Sequence, residues 1–349
     1  MSALRGGPAT GPATGPATGP ATGPATGPAT GPATDSVPGA RPGAPALLVS
    51  VVVPTRNRPL LLAEALSSVL AQTYTNVEVI VVDDGSDQPV SIDHLPQHPA
   101  VPLRLVRLAG RKGAAAARNA GIRMARGELI AFLDDDDCWE PGKVACQVAY
   151  LASHPEVGAV SCWHAVVDER GAAQYPRAQH YRGPEVFGRR QVAWMLFPRS
   201  FSLVMLRRSV IGDDLLLDER FPSVEDWDLW MRCSRRGPIA VLPETLCRVR
   251  VHDQGRLSDR SSELRGLEAF ARKHWSSLSK AERCYLRAHQ TMLTEGRVMH
   301  RLAVLRSLVT SSAGASVLLV TEQLARLLGR LLGDPGLVDR VRSAMVGAQ

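Results

Sequence analysis

Long apolar runs are missing from this sequence of 349 residues. No stretch of about 18 uncharged apolar residues occurs, so no membrane-spanning helix is expected. The first residues also lack the apolar core of a secretory signal. The six cysteines include no C-x-x-C pair and no His/Cys spacing typical of zinc ligands. We therefore expect free thiols and a cytoplasmic protein.

Basic and acidic side chains balance over most of the chain. Residues 1–249 hold 25 basic and 25 acidic side chains, and residues 250–349 hold 16 basic and 9 acidic ones. The whole net charge of +7 therefore lies in the last hundred residues. A general nucleic-acid binder would carry a basic face through its main domain. No nucleic-acid partner is expected, and the charge describes only the C-terminal region.

Residues 1–45 are dominated by a repeat, in which Gly-Pro-Ala-Thr occurs seven times from Gly7 to Thr34. Proline at every fourth position removes backbone donors and disfavours helix, and no apolar side chain of the repeat is large enough to pack. We predict a disordered arm. It is either a tolerated repeat expansion or a docking or spacing element.

Four apolar runs alternate with two helical patterns between residues 47 and 133. The runs indicate buried strands, and they cover residues 47–53, 77–82, 103–106 and 129–133. The helical patterns cover residues 60–72 and 114–126. This alternation predicts an α/β fold with a doubly wound, mostly parallel sheet. Ligands bind such sheets beyond the carboxyl ends of the strands, so residues 54–57, 83–84 and 134–137 should converge on one crevice.

Four consecutive aspartates, Asp134 to Asp137, follow the fourth run. Carboxylates this close repel one another, and a divalent cation such as Mg²⁺ or Mn²⁺ is their natural partner. In an extended segment Asp134 and Asp136 would point the same way. The alternative is a solvated acidic turn in which Asp137 caps a helix that starts near Pro141.

Two further clusters suggest a nucleotide. Asp83 and Asp84 end the second strand, where a carboxylate could bind a ribose or a base, although Asp-Gly also suits a simple turn. No G-x-G-x-x-G follows the first strand, so a dinucleotide site is unsupported. Lys112 lies just before the helical pattern over 114–126, and Arg118 lies within it. The N-terminus of such a helix favours phosphate. The alternative there is an alanine helix with ordinary surface cations.

A third cluster, Glu225 to Trp230, combines three carboxylates with two tryptophans on one helical face. A carboxylate against indole rings can have a raised pKa, which suits a general base. The competing reading is a capping box of Ser223 and Asp226. His252 ends a short alternating strand and could meet a metal or a diphosphate, or it is a structural histidine.

Five segments together resemble the family 2 glycosyltransferases in order and spacing. They are Ser50-Val-Val-Val-Pro-Thr-Arg-Asn57, Val79-Ile-Val-Val-Asp-Asp-Gly-Ser86, Ala116-Ala-Arg-Asn-Ala-Gly-Ile122, Phe132-Leu-Asp-Asp-Asp-Asp-Cys-Trp-Glu-Pro141 and Glu225-Asp-Trp-Asp-Leu-Trp230. The likeness covers about residues 48–258. It implies a GT-A fold, a nucleotide-diphosphate sugar donor, Mn²⁺ or Mg²⁺ as cofactor, and inversion of the anomeric centre.

The resemblance also implies roles for individual residues. The nucleotide-sugar would be bound by Pro54, Thr55, Arg56, Asn57, Asp83, Asp84, Lys112, Arg118, Asp134 and Asp135. Within this set Asp84 would face the base of the nucleotide, and Asp83 would support its loop or the ribose. Asp134 and Asp136 would form the D-x-D motif, with metal ligands Asp136, Asp134 and His252. Asp226 would be the general base that deprotonates the acceptor, and Glu225 its neighbour.

The resemblance sets the domain boundaries. A GT-A domain is expected over 46–260, with a nucleotide-binding half over 46–145 and an acceptor half over 146–260. A basic helical region would follow over 261–349, with apolar stripes from Val298 to Val309 and from Val317 to Leu331. Such helices suit peripheral contact with the inner face of a membrane, or packing against the own domain or a second subunit.

The chain departs from the family pattern at two positions. Arg56 stands where an aromatic residue is frequent, and Lys112 where asparagine is common, so the donor stays open. No Gln-x-x-Arg-Trp segment occurs, which favours addition of a single hexosyl or related unit. The resemblance implies a lipid, glycan, peptide or small metabolite as acceptor. The alternatives are a sugar-phosphate nucleotidyltransferase and a non-catalytic nucleotide-sugar-binding protein.

Overall fold

Strands and helices alternate along the part of the chain that the computed structural model describes, which is residues 47–173, 186–193, 200–252 and 260–295. The repeat arm over 1–45 and the apolar stripes after residue 297 lie outside these ranges. The strands are β1 Val49–Thr55, β2 Val77–Asp83, β3 Leu103–Arg107, β4 Leu129–Phe132, β5 Cys138–Trp139, β6 Ala159–Val167, β7 Val186–Phe187, β8 Met205–Arg207 and β9 Ile239–Arg250. The helices are α1 Pro59–Leu70, α2 Ala114–Met124, α3 Lys143–Ser153, α4 Arg189–Ala193, α5 Arg208–Ile211, α6 Glu225–Arg236, α7 Arg260–His274 and α8 Lys280–Glu295.

The described strands form one sheet in the order β3-β2-β1-β4-β8-β6-β9-β5, with β7 beside β9. Strands β3, β2, β1 and β4 run parallel, which confirms the doubly wound half expected from the alternating pattern. Strand β8 is antiparallel to both β4 and β6, whereas β6 and β9 are parallel. The sheet is therefore mixed, and β8 joins its two halves.

The apolar runs are continuous because β1, β2 and β4 are buried on both faces. Strand β3, at the edge of the sheet, is only partly buried and has the sequence Leu-Arg-Leu-Val-Arg. Strand β1 continues through Pro54, which the sequence placed at its end. Its pairing with β4 stops at Val52, opposite Phe132, so the missing N–H of Pro54 costs no bond to β4.

Helices α7 and α8 follow β9 and belong to the basic region expected from residue 261 onwards. Helix α7 packs on α6, where the rings of Phe270 and Trp227 stack with centroids 3.8 Å apart. Gly266 makes this approach possible, because a Cβ there would lie 2.5 Å from the carbonyl oxygen of Ser223. None of the helices in the described ranges is long and apolar enough to cross a bilayer.

Helix α2 lies very close to the sheet at Gly121, and this contact gives a first prediction. A Cβ at Gly121 would lie 2.3 Å from Cγ1 of the buried Val52. Gly121→Ala should therefore lower the free energy of unfolding by about 1–3 kcal/mol through overpacking, despite the better helix propensity of alanine. Urea unfolding measures the change.

Gly142→Ala is the matched control, since the nearest atom to a Cβ there is Cys146 Sγ at 4.0 Å. Its right-handed backbone (φ −87°, ψ −4°) suits alanine, which offsets the poorer capping by alanine, so stability should change by less than about 1 kcal/mol. Equal stability of both variants would contradict the close approach of α2 to β1.

Candidate active site

The loops that follow β1, β2 and β4 meet at the carboxyl edge of the parallel strands. Thr55 Oγ1 donates to Asp135 Oδ2 at 2.7 Å and so connects the ends of β1 and β4. The amide of Asn57 donates to Ser86 Oγ at 3.0 Å and connects the ends of β1 and β2. The three segments expected to share one crevice thus lie in contact. Pro54 is buried between them, and the partly exposed Arg56 pairs weakly with Asp87 at 3.8 Å.

Asp134 to Asp137 form a tight turn, which we call the aspartate turn, closed by a hydrogen bond from Asp137 N to Asp134 O at 3.1 Å. The extended segment expected from the sequence is wrong. In the turn, Asp134 and Asp136 pair with two different arginines. Asp134 Oδ1 accepts from Arg118 Nη2 at 2.5 Å, and Asp136 Oδ2 accepts from Arg58 Nη1 at 2.7 Å. Separate partners reduce the repulsion between neighbouring carboxylates.

Asp137 is turned inward. Its Oδ2 accepts from Ser202 Oγ at 2.5 Å, and its Oδ1 accepts from Arg250 N at 2.9 Å. The alternative in which Asp137 caps a helix is wrong, because α3 begins after Gly142 without a side-chain cap. Asp137 instead anchors the turn to the second half of the sheet.

Burial makes the aspartate turn electrostatically costly. It raises the pKa of Asp135 to about 6, although the hydrogen bond from Thr55 and the charge of Arg58 oppose the change. Burial also raises the pKa of Asp137, and the negative charges of Asp134 and Asp136 add to it. The turn therefore depends on the cations and donors that surround it.

Arg118 connects the aspartate turn to helix α6. Its guanidinium is buried and lies 3.9 Å above the ring of Phe201. Besides Asp134, it donates to Glu225 Oε1 at 3.4 Å. Although burial opposes it, the carboxylates of Asp134 and Glu225 raise the pKa of Arg118. One fixed cation thus connects Asp134 in the aspartate turn to Glu225 at the start of helix α6.

Asp84 fixes the loop that precedes α2. Its two carboxylate oxygens accept from the amides of Lys112 at 2.6 Å and Gly113 at 2.9 Å. A Cβ on Gly85 would lie 2.5 Å from the carbonyl carbon of Gly110, so the two loops are packed backbone to backbone. The backbone amides of Lys112 and Gly113, just before α2, are therefore hydrogen-bonded to a carboxylate in this structure. The side chain of Lys112 is exposed at the rim.

Asp83 holds the other side of the same loop. Its Oδ1 accepts from Ser86 N at 2.8 Å, and its Oδ2 accepts from Arg107 Nη1 at 2.8 Å. Although burial opposes it, the hydrogen bonds from Ser86 and the charge of Arg107 lower the pKa of Asp83. These contacts correspond to the loop-supporting role expected for Asp83.

Helix α6 begins at Glu225 directly after Val224, whose φ of +56° is a strained value for a β-branched residue. The capping box of Ser223 and Asp226 does not form, because the cap position is Val224 and no side chain caps it. Asp226 is buried, and its Oδ1 accepts from Trp227 N at 2.7 Å. The strained turn fixes where the two candidate catalytic carboxylates enter the site.

Asp228, two residues further along α6, is completely buried and was not assigned a role from the sequence. Its carboxylate accepts from Arg232 Nε at 3.0 Å and lies 2.9 Å from Lys273 Nζ and 2.7 Å from His274 Nε2. Although burial opposes it, the hydrogen bond from His274 and the charges of Arg232 and Lys273 lower the pKa of Asp228. This cluster fastens α7 to the helix that carries Asp226.

His252 and Arg250 approach the aspartate turn from the end of β9. His252 Nε2 lies 2.9 Å from Asp136 Oδ2. Arg250 Nε donates to Asp136 O at 2.9 Å, and Arg250 Nη2 donates to Glu64 Oε2 at 2.8 Å. The structure therefore brings His252 to the predicted metal ligand Asp136, while Asp134 faces Arg118.

Within the described ranges, no group of three His, Cys, Asp or Glu side chains is arranged to hold a metal by itself. Mg²⁺ is commonly bound through one or two carboxylates together with substrate phosphates and water. The donor set at Asp136, with Asp134 in the same turn, fits that mode. Without a substrate phosphate, these residues would leave most of the ligand positions of the cation to water.

Arg58 and Ser202 have roles at the site that sequence reasoning missed. Arg58 directly follows the first quoted motif, so proximity to a motif was the available signal. Ser202 carries no such signal. It reaches Asp137 from a 3₁₀ turn 65 positions away.

Residues 50–215 match the family model described as "glycosyl transferase family 2". An uncharacterized glycosyltransferase of Rickettsia typhi is 28% identical over 241 residues, which cover 67% of this chain and 74% of that protein. For several other relatives, the chain spans less than two thirds of their length.

Two solved structures have the same fold. A fragment of S. aureus TarS in complex with UDP-GlcNAc has a TM-score of 0.57 at 18% identity and covers 87% of this chain and 93% of its own. The mannosyltransferase PcManGT of Pyrobaculum calidifontis, in complex with GDP-Man and Mn²⁺, has a TM-score of 0.52 at 20% identity and covers 86% of both chains. The expected GT-A fold is confirmed.

The Asp228 cluster gives a prediction on stability and pH. Asp228→Asn should lower the free energy of unfolding at pH 7 by about 3 kcal/mol, because buried cationic groups lose their charged partner. The lowered pKa means that this stabilisation is present above the unfolded-state value of about 3.9 and is lost as the pH falls through the folded-state value. Urea unfolding from pH 7 to pH 3 measures it.

The difference between Asp228→Asn and the unchanged protein should be constant above about pH 5 and shrink below about pH 4. Asp93→Asn, at an exposed position, is the control and should cost little at any pH. A difference that persists undiminished at pH 3 would contradict the assignment.

Proposed function

We propose that this chain, whose residues 50–215 match the glycosyl transferase family 2 model, moves one sugar from a nucleotide-diphosphate sugar to an acceptor hydroxyl with inversion. The observation that carries the proposal is the position of Arg118, which donates both to Asp134 in the aspartate turn and to Glu225 beside Asp226. The predicted donor site and the predicted base therefore share one fixed cation.

The donor would lie across the ends of β1, β2 and β4. Thr55 and Asp135 are already in contact there, and Asp84 holds the loop that carries Lys112. The neighbours in the solved structures hold UDP-GlcNAc or GDP-Man, which supports a nucleotide sugar of either kind as donor. Lys112 and Arg118 would offset the charge of the leaving nucleoside diphosphate.

A divalent cation would be held by Asp136, with Asp134 and His252 as further candidate ligands, and would supply charge stabilisation at the diphosphate. Asp226 would accept the proton of the acceptor hydroxyl. The acceptor oxygen then forms a bond to the anomeric carbon, and the bond to the diphosphate oxygen breaks and leaves its electron pair on the nucleoside diphosphate. One displacement from the opposite face inverts the centre.

The proposal predicts metal-dependent nucleotide binding. UDP, GDP or dTDP with Mn²⁺ should stabilise the protein by about 2.7 kcal/mol when the ligand is at a hundredfold excess over its dissociation constant. Thermal unfolding with Mn²⁺ and with EDTA measures the effect. Asp136→Asn should remove the metal-dependent part, whereas Asp93→Asn should keep it. If no nucleotide stabilises the unchanged protein in a metal-dependent way, the proposed function is wrong.

Asp226→Asn should lower turnover by about 10²- to 10⁴-fold and leave nucleotide affinity unchanged, because a general base acts on the acceptor. Release of nucleoside diphosphate from UDP-GlcNAc and GDP-Man measures turnover, and calorimetry measures affinity. Asp214→Asn is the control. It breaks a surface ion pair with Arg236, which lies on the same helix α6 as Asp226, and should leave turnover unchanged. Loss of both turnover and nucleotide binding in Asp226→Asn would make Asp226 a structural residue.

The acceptor stays a prediction, as does contact of the 261–349 region with a membrane or a second subunit. A lipid acceptor would place the site near a bilayer surface, whereas a glycan, peptide or small metabolite would not. Co-sedimentation with anionic vesicles, followed by an acceptor screen with the donor that is turned over, separates these classes.

A further inference from the structure

Arg58 lies between β1 and α1 and faces the aspartate turn. Its Nη1 donates to Asp135 Oδ1 at 3.1 Å and to Asp136 Oδ2 at 2.7 Å. The side chain is 27% exposed, so it reaches the turn from the solvent side. Asp136 is also the carboxylate best suited to bind a divalent cation. Arg58 and such a cation would therefore compete for the same carboxylate.

Arg58 differs from Arg118 in how firmly it is held. Arg118 is buried against Phe201 and joins two structural elements through Asp134 and Glu225. Within the described ranges, the side-chain hydrogen bonds of Arg58 go only to the aspartate turn. The turn keeps other partners when Arg58 leaves, since Thr55 donates to Asp135 and His252 lies beside Asp136. Arg58 is therefore the exchangeable cation of the site.

We propose that Arg58 is a built-in counter-ion that competes with the divalent cation for Asp136 and turns to the diphosphate of the donor when the cation is bound. The inference rests on the proposed function. A guanidinium 2.7 Å from a carboxylate oxygen repels a divalent ion at the same oxygen. A diphosphate offers that guanidinium a strong forked partner instead. The cation and the donor would then favour each other's binding through Arg58.

If Arg58 competes with the cation, Arg58→Gln should raise the affinity for Mn²⁺ and lower the affinity for the nucleotide. Without nucleotide, the full chain should bind Mn²⁺ roughly tenfold more tightly than the unchanged protein, as followed by the electron paramagnetic resonance signal of free Mn²⁺. At saturating Mn²⁺, the affinity for UDP or GDP should fall roughly tenfold, as measured by calorimetry. A general loss of structure would weaken both.

Arg104→Gln is the matched control. Arg104 is 25% exposed and donates to the buried Glu78 at 2.7 Å, away from the aspartate turn. Its replacement should leave both affinities unchanged. Arg58→Lys should show both changes at smaller size, because an ammonium replaces only part of the forked contact, and it serves as the test should Arg58→Gln fail to fold.

Nucleotide-free Mn²⁺ affinity that is unchanged or weaker in both Arg58 variants would overturn the competition. Unchanged nucleotide affinity would overturn the transfer of Arg58 to the diphosphate. The proposed function fails separately, if the unchanged protein binds neither UDP nor GDP in a metal-dependent way.

Discussion

Four carboxylates in a row, at the end of a buried strand, repel one another and are poorly hydrated. The structure surrounds them with partners from distant parts of the chain, namely Thr55, Arg58, Arg118, Ser202, Arg250 and His252. Thr55, Arg250 and His252 lie at or just after strand ends, Arg118 lies on α2, Arg58 directly precedes α1, and Ser202 lies in a 3₁₀ turn. The parallel order of β2, β1 and β4 is what brings the first partners together, and the antiparallel β8 and the end of β9 bring the others. The compensation of the aspartate turn thus depends on the whole mixed sheet.

The same electrostatic requirement connects the two halves of the site. Arg118 balances Asp134 and reaches Glu225, so the entry of helix α6 is tied to the aspartate turn. Below that point Asp228 fastens α6 to α7 through Lys273 and His274. The strained backbone of Val224 directly precedes Glu225, the first of these two anchors. In the proposed function this arrangement keeps the base carboxylate in place independently of the acceptor.

The parallel half of the fold could be predicted because its information is local. Apolar runs mark β1, β2 and β4, and polar residues mark where they end. The carboxylates of the site were found in the same way, as members of short motifs. Some of their partners, namely Thr55, Arg118 and His252, were found as well. Ser202 was not, because it reaches Asp137 across 65 positions of the chain. An acidic turn at Asp134 to Asp137 was one of the two alternatives, but the arginines that pair with its carboxylates could not be assigned from the four aspartates themselves. Domain limits and residue roles stay predictions.

A crystal structure with Mn²⁺ and a nucleoside diphosphate tests the central claim most directly, with data collected at the manganese absorption edge. The account predicts an anomalous peak at coordination distance from the carboxylate of Asp136, with the nucleotide across the ends of β1, β2 and β4 and Arg58 turned to the diphosphate. A metal or nucleotide bound away from the aspartate turn, with Arg58 still on Asp135 and Asp136, would contradict it.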